Sequence, residues 1–117
     1  MKQYLDGFVL CVPEKNLEAY QKMAEKAGEI WKEHGALQYI ESVIEDDTAY
    51  PHCMSFKELA QPKEREKVVF SLIVFKSREH RDEVNAKVME DSRMECDMDV
   101  FDGKRMAYNG FETIVNL

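Results

Sequence analysis

Few residues in this chain have chemistry to offer, and the Asp102-Gly103-Lys104-Arg105 stretch is the most site-like. A turn glycine there sets two cations beside an aspartate at the entry of a strand. Arg105 can clamp a carboxylate or phosphate through two parallel N–H donors, or pair structurally with Asp6 or Asp102. His80, in the first turn of a helix, and Tyr108 are the candidate proton handlers; packing is the alternative for His80. Ser71 is the lone polar residue of an apolar run. It offers its hydroxyl either to a pocket or to the backbone. Tyr20, Trp31, Tyr39 and Tyr108 can line an apolar pocket between helix and sheet, or simply fill the core. The candidate set is therefore His80 and Tyr108 for catalysis, with Arg105, Ser71, Asp6, Tyr20 and Trp31 for ligand binding.

Other combinations fail on spacing. His34 falls at a helix end, where a cation favours the helix dipole, and reads as a cap. His52-Cys53 is an adjacent pair with no second pair at zinc spacing. The acidic tract from Glu90 to Gly103 invites a calcium loop. Counted from Asp97, however, the fifth position is Phe101 and the twelfth is Tyr108, so the ligand pattern breaks. There is no phosphate loop, no G-x-S-x-G and no H-E-x-x-H. No metal or cofactor is expected.

The 117 residues suit a single domain spanning 1–117. With 23 acidic against 16 basic residues the net charge is −7, which disfavours nucleic acid as a partner. Cys11, Cys53 and Cys96 are odd in number and lack C-x-x-C spacing, as for reduced thiols in the cytoplasm. The chain starts with no signal-peptide pattern, and no run reaches membrane-spanning length.

These residues must be positioned by a sheet. Val68 to Phe75 (VVFSLIVF) has seven apolar residues in eight and reads as a central strand buried on both faces. Tyr4–Val12 is a second strand with two largely apolar faces; Gly7 marks a close backbone approach or a bulge. Helical spacing of Leu17, Tyr20, Ala24, Ala27, Trp31 and His34 predicts a helix over about 15–34, with Gly35 ending it and Gly28 permitting close contact with the sheet. Residues 38–45 alternate as a strand nearer an edge, with Glu41 and Glu45 facing outward. Residues 46–67 form a long connection, either a functional segment or a disordered insertion, with a helical turn near 53–59. Ser77 caps a second helix to about Glu90, its inner stripe His80, Val84 and Val88, flanked by Arg81 or Met89. Residues 91–98 read as a turn or short helical continuation. A last strand spans about 104–115, with Asn109-Gly110 a bulge or kink.

The order strand, helix, strand, strand, helix, strand is the ferredoxin-like βαββαβ pattern, an α+β fold with both helices on one face of an antiparallel sheet. The central strand has two faces, Val68, Phe70, Leu72 and Val74 on one and Val69, Ser71, Ile73 and Phe75 on the other; the helices cover one of them and the other needs a cover. A second copy of the chain is the simplest one, giving a dimeric α/β barrel; the long connection is the alternative.

Three runs support a family resemblance: Tyr4-Leu5-Asp6-Gly7-Phe8-Val9, Asn85-Ala86-Lys87-Val88-Met89 and Phe101-Asp102-Gly103-Lys104-Arg105-Met106. Through them the chain resembles the YbaA-like proteins, small bacterial proteins of unknown function. The resemblance implies a ferredoxin-like fold of the dimeric α/β barrel type and no established activity. Asn109-Gly110 stands where the family pattern has Gly-Gly, and Leu72 where it often has tryptophan. By analogy of fold alone, such barrels house cofactor-free oxygenases, haem-degrading enzymes and isomerases. The sequence thus leads to a cytoplasmic homodimer with a small-molecule pocket and, for chemistry, cofactor-free oxidation or isomerisation. The alternative is a non-catalytic or stress-related protein-interaction module.

Overall fold

The computed structural model describes residues 2–95, 97 and 99–117. Four strands form one antiparallel sheet: β1 (Tyr4–Pro13), β2 (Gln38–Val43), β3 (Glu66–Phe75) and β4 (Ala107–Glu112), in the spatial order β2-β3-β1-β4. Between β1 and β2 runs α1 (Leu17–Glu33), entered through a 3-10 turn at Glu14–Asn16. A short α2 (Phe56–Ala60) lies in the connection from β2 to β3, and α3 (Arg78–Glu90) follows β3. This is the expected ferredoxin-like α+β arrangement. No helix among the described residues is long and apolar enough to cross a membrane.

Local chemistry sets the helix limits. After α1, Gly35 takes φ +118°, the amide of Ala36 donates to Trp31 O and that of Gly35 to Lys32 O. Two orphan carbonyls of the last turn are thereby satisfied. Ser77 Oγ accepts from the His80 amide at 3.1 Å and starts α3. Gln61 closes α2 in the left-handed region.

Strand register fixes the faces. Leu10 pairs with Val69, Phe8 with Ser71 and Asp6 with Ile73. With Val12 and Phe75, these side chains face α1 and α3. The apolar ones form two adjoining clusters: Leu10, Val12, Tyr20, Ala24 and Val69 in one, and Ile30, Ile73, Phe75, Val84 and Val88 in the other. Burying each large aliphatic or phenyl side chain contributes about 1.5–3 kcal/mol, so this layer holds the fold.

Several expectations change here. Glu41 pairs with Ser71 across β2 and β3, so it faces the helices rather than outward. Met89 is exposed and lies off the inner stripe of α3. β4 begins at Ala107; Lys104 and Arg105 lie in a 3-10 turn, where Asp102 Oδ1 accepts from the Lys104 amide at 3.0 Å. Asn109 and Gly110 pair continuously with Gly7 and Asp6, so no bulge forms. A Cβ on Gly110 would run into the Tyr4 ring, which is why glycine stands there. Gly7 likewise marks a close approach, by the Phe111 ring. Cys96, and the part of the 91–98 turn at Cys96 and Met98, lie outside the described residues.

The opposite face of the sheet is covered only in part. The α2 segment lies over one end: Phe56 meets Phe70 edge-on at 5.7 Å, and the Cys11 thiol reaches Ala60 O at 3.7 Å. Val68, Val74 and Cys11 are buried, whereas Phe70 is 44% and Phe111 54% exposed, with Ile40 beside them in the sheet also exposed. The long connection thus serves as a cover for one end of this face and leaves an apolar remainder.

Candidate functional site

The site candidates separate into groups. Tyr20, on α1, and Tyr39, on β2, both donate to Glu41, each phenol 2.7 Å from a different carboxylate oxygen. Strand periodicity puts Tyr39, Glu41 and Val43 on the helix side of the edge strand. Gly28 lets the Tyr39 ring lie against α1: a Cβ there would stand 2.6 Å from Tyr39 Cδ1. Burial, and then the adjacent Glu41 carboxylate, push the Tyr39 phenol well above its ordinary pKa. It therefore remains a neutral donor throughout the physiological range.

These three side chains floor an open groove of about 970 Å3 between α1 and β2. Leu17, Ala24, Val43 and Val69 supply its apolar wall, and Gln21, Glu25, Glu29, Lys32 and Glu33 form the rim. Next to it, sharing Tyr20, Ala24, Tyr39 and Glu41, is a smaller open pocket of about 160 Å3, also lined by Phe8, Ser71, Trp31 and Phe101. The structure therefore brings together Tyr20, Trp31 and Ser71 of the candidate set. Ser71 is buried against this smaller pocket. Glu41 was the residue sequence reasoning missed. The signal was there in Tyr39-x-Glu41, a phenol and a carboxylate on one strand face.

Asp6 and Tyr108 belong to a second cluster. Arg81 Nη1 donates to Asp6 Oδ1 and to Tyr108 Oη, both at 2.8 Å. Asn85 Nδ2 donates to Asp6 Oδ2 at 3.1 Å, and Trp31 Nε1 donates to Asn85 Oδ1 at 3.0 Å. The Arg81 guanidinium also lies over the Tyr4 ring, 4.9 Å from its centroid. Asp6 is only 1% exposed, so Arg81 serves as its counterion in the core between β1 and α3. Burial and Asp6 raise the Tyr108 phenol, against the opposing pull of Arg81.

Arg105 and His80 stand apart from both clusters. Arg105, expected to clamp an anionic ligand or else to bridge to Asp6 or Asp102, is held bidentately by Glu66 at 2.9 and 2.8 Å. Glu66 opens β3, closer to the 3-10 turn than the buried Asp6. The Arg105 hydrogen bonds hold the Glu66 carboxyl below the ordinary range. His80 Nδ1 accepts from the Lys76 amide at 3.0 Å, and its ring meets Phe75 edge-on. That bond occupies the ring nitrogen's lone pair within the α3 cap. His34 Nε2 lies 2.8 Å from Asp91 Oδ2 and ties the end of α1 to the end of α3.

Four antiparallel strands in this order, with α1 and α3 on one face and a groove beside the edge strand, define a ferredoxin-like α+β protein. A dimeric ferredoxin-like protein from an uncultured marine organism matches over 100% of both chains, with a TM-score of 0.62 at 11% identity. The chain belongs to DUF1428, a family of proteins of unknown function whose model matches residues 3–103. It is 42% identical over 116 residues to the uncharacterised protein YbaA of Escherichia coli K12, covering 97% of this chain and 98% of that one. YbaA of Shigella flexneri matches at the same identity and coverage. The family resemblance carried by the three sequence runs is borne out.

Proposed function

We propose that the protein acts as a homodimer that binds a small molecule in the groove between α1 and β2 of each subunit. The observation that carries this reading is the Tyr20–Glu41–Tyr39 set: a few polar groups converging on the floor of a largely apolar groove. The dimer reading is supported by the apolar remainder around Ile40, Phe70 and Phe111, which faces away from α1 and α3. A ferredoxin-like relative in fold is dimeric, which favours the same assembly. Groove and apolar face lie largely on opposite sides of the sheet, so pairing through one leaves the other accessible. A cytoplasmic setting goes with this reading and with the free thiols of Cys11 and Cys53.

Native mass spectrometry of the purified protein, with gentle dissociation, tests both halves. The expected result is a dimer that releases a small molecule. A monomer would overturn the assembly, and an empty dimer that takes up no compound from a metabolite panel would overturn the pocket.

A second reading, proton-transfer isomerisation in the same groove, is favoured by Glu41. Its carboxylate is a base held between two phenolic donors beside apolar walls. On this reading Glu41→Gln removes turnover while ligand affinity persists. Undiminished turnover in that variant would exclude Glu41 as the base.

A further inference from the structure

The charge around the groove is one-sided. Glu25, Glu29, Glu33 and Glu41 line it, against the single cation Lys32. The Lys32 ammonium is bound to Leu37 O at 2.8 Å, and Glu33 is held by Arg93 at 2.6 Å. Among the described residues, Glu25, Glu29 and Glu41 form no ion pair. Glu25 and Glu29 stand one helical turn apart on α1, where like charges repel. The groove floor adds the Tyr20 and Tyr39 side chains, aromatic groups of the type that attracts cations. Arg81 and Arg105, the guanidinium groups that would suit an anionic ligand, are bound to Asp6 and Glu66 and do not line the groove.

We infer that the groove takes a small organic cation, a compound with an apolar body and a protonated or quaternary amine, its charge held by Glu25, Glu29 and Glu41. The inference rests on the small-molecule reading of the same groove and names the ligand class. The apolar body lies against Leu17, Ala24, Val43 and Val69, and the amine sits among the carboxylates and phenol rings. An anion of the same shape is repelled by the rim. A neutral analogue retains the apolar contact and loses the charge interaction.

The test uses three probes with one apolar body: 2-naphthylmethylammonium, 2-naphthalenemethanol and 2-naphthoate. Each is titrated into the full chain by calorimetry, with NMR shifts locating the site. The cation should bind about tenfold or more tighter than the alcohol, with naphthoate weakest, and its shifts should centre on Tyr39 and Val43. In a Glu25→Gln, Glu29→Gln double variant, whose substitutions lie at the rim, cation affinity should fall about tenfold towards that of the alcohol, whose own affinity stays unchanged. Equal or tighter binding of the alcohol or naphthoate overturns the cation assignment and leaves the groove a ligand site. Cation binding indifferent to the double variant, or located elsewhere, also overturns the assignment. Failure of all three probes to bind overturns the groove as a ligand site, and the assignment with it.

Discussion

Gly28 is where the groove is most sensitive to a single carbon atom. Alanine improves helix propensity by about 1 kcal/mol. Its Cβ would meet Tyr39 Cδ1 at 2.6 Å, Cε1 at 2.9 Å and Cγ at 3.1 Å, and overpacking costs about 1–3 kcal/mol. Cγ is the root of the ring, so Tyr39 cannot yield without leaving Glu41. Gly28→Ala should therefore lower stability in urea unfolding; a gain near the propensity value would show the close approach to be dispensable. Arg81 carries a second residue-scale prediction. Asp6 is 1% exposed and the Arg81 side chain 13%, so Arg81→Met leaves a buried carboxylate without its counterion, with only the neutral donors Asn85 and Tyr108 beside it among the described residues. Breaking a buried pair in this way costs about 3–5 kcal/mol. A loss below about 1 kcal/mol in the same unfolding assay would mean that Asp6 finds water or another partner.

Among elements, carboxylates tie the ends together. Glu66, at the start of β3, is held to the turn before β4 by Arg105. Asp91, at the end of α3, accepts from Arg93 and from His34 at the end of α1. Both carboxyls sit below the ordinary range, chiefly through these hydrogen bonds. A depressed folded-state pKa adds stability above the unfolded value, near 4, and that stability is lost as pH falls through the folded value. Stability should thus be flat from about pH 7 to 5 and decline below about pH 4. Arg105→Ala should lower stability at neutral pH and narrow its gap to the parent chain in acid, because the share of Glu66 is already lost there. A gap independent of pH in thermal melts would assign the effect of Arg105 to packing instead.

For the whole molecule, the apolar remainder of the sheet is the surface that matters. A Phe70→Lys, Phe111→Lys double variant places two charges on it and leaves the helix-side core untouched. Light scattering should report a monomer with the parent chain's far-UV circular dichroism. A dimer of unchanged mass would place the interface elsewhere on the molecule. The α2 segment limits the extent of this surface. It covers the Val68 and Cys11 end and leaves the apolar remainder around Ile40, Phe70 and Phe111 exposed.

Strand and helix order was legible in the sequence because apolar periodicity is local. Val68–Phe75 cannot avoid being a central strand, and Gly35 cannot avoid ending α1 where it does. The family was legible too, through runs such as Phe101-Asp102-Gly103-Lys104-Arg105-Met106. The groove was legible only in pieces: Tyr20 was named as a pocket residue, Trp31 and Ser71 line the adjoining pocket, and Glu41 was assigned to the wrong face. In an edge strand both faces are mixed, so polarity alone does not orient it; its register with β3 does. Arg105 found Glu66 instead of Asp6, and Arg81 took Asp6, because ion-pair partners far apart in sequence are selected by distance across the sheet. Hydrophobic pattern is a property of neighbouring residues, whereas a groove, its charge and its counterions come from residues that only the tertiary structure makes neighbours.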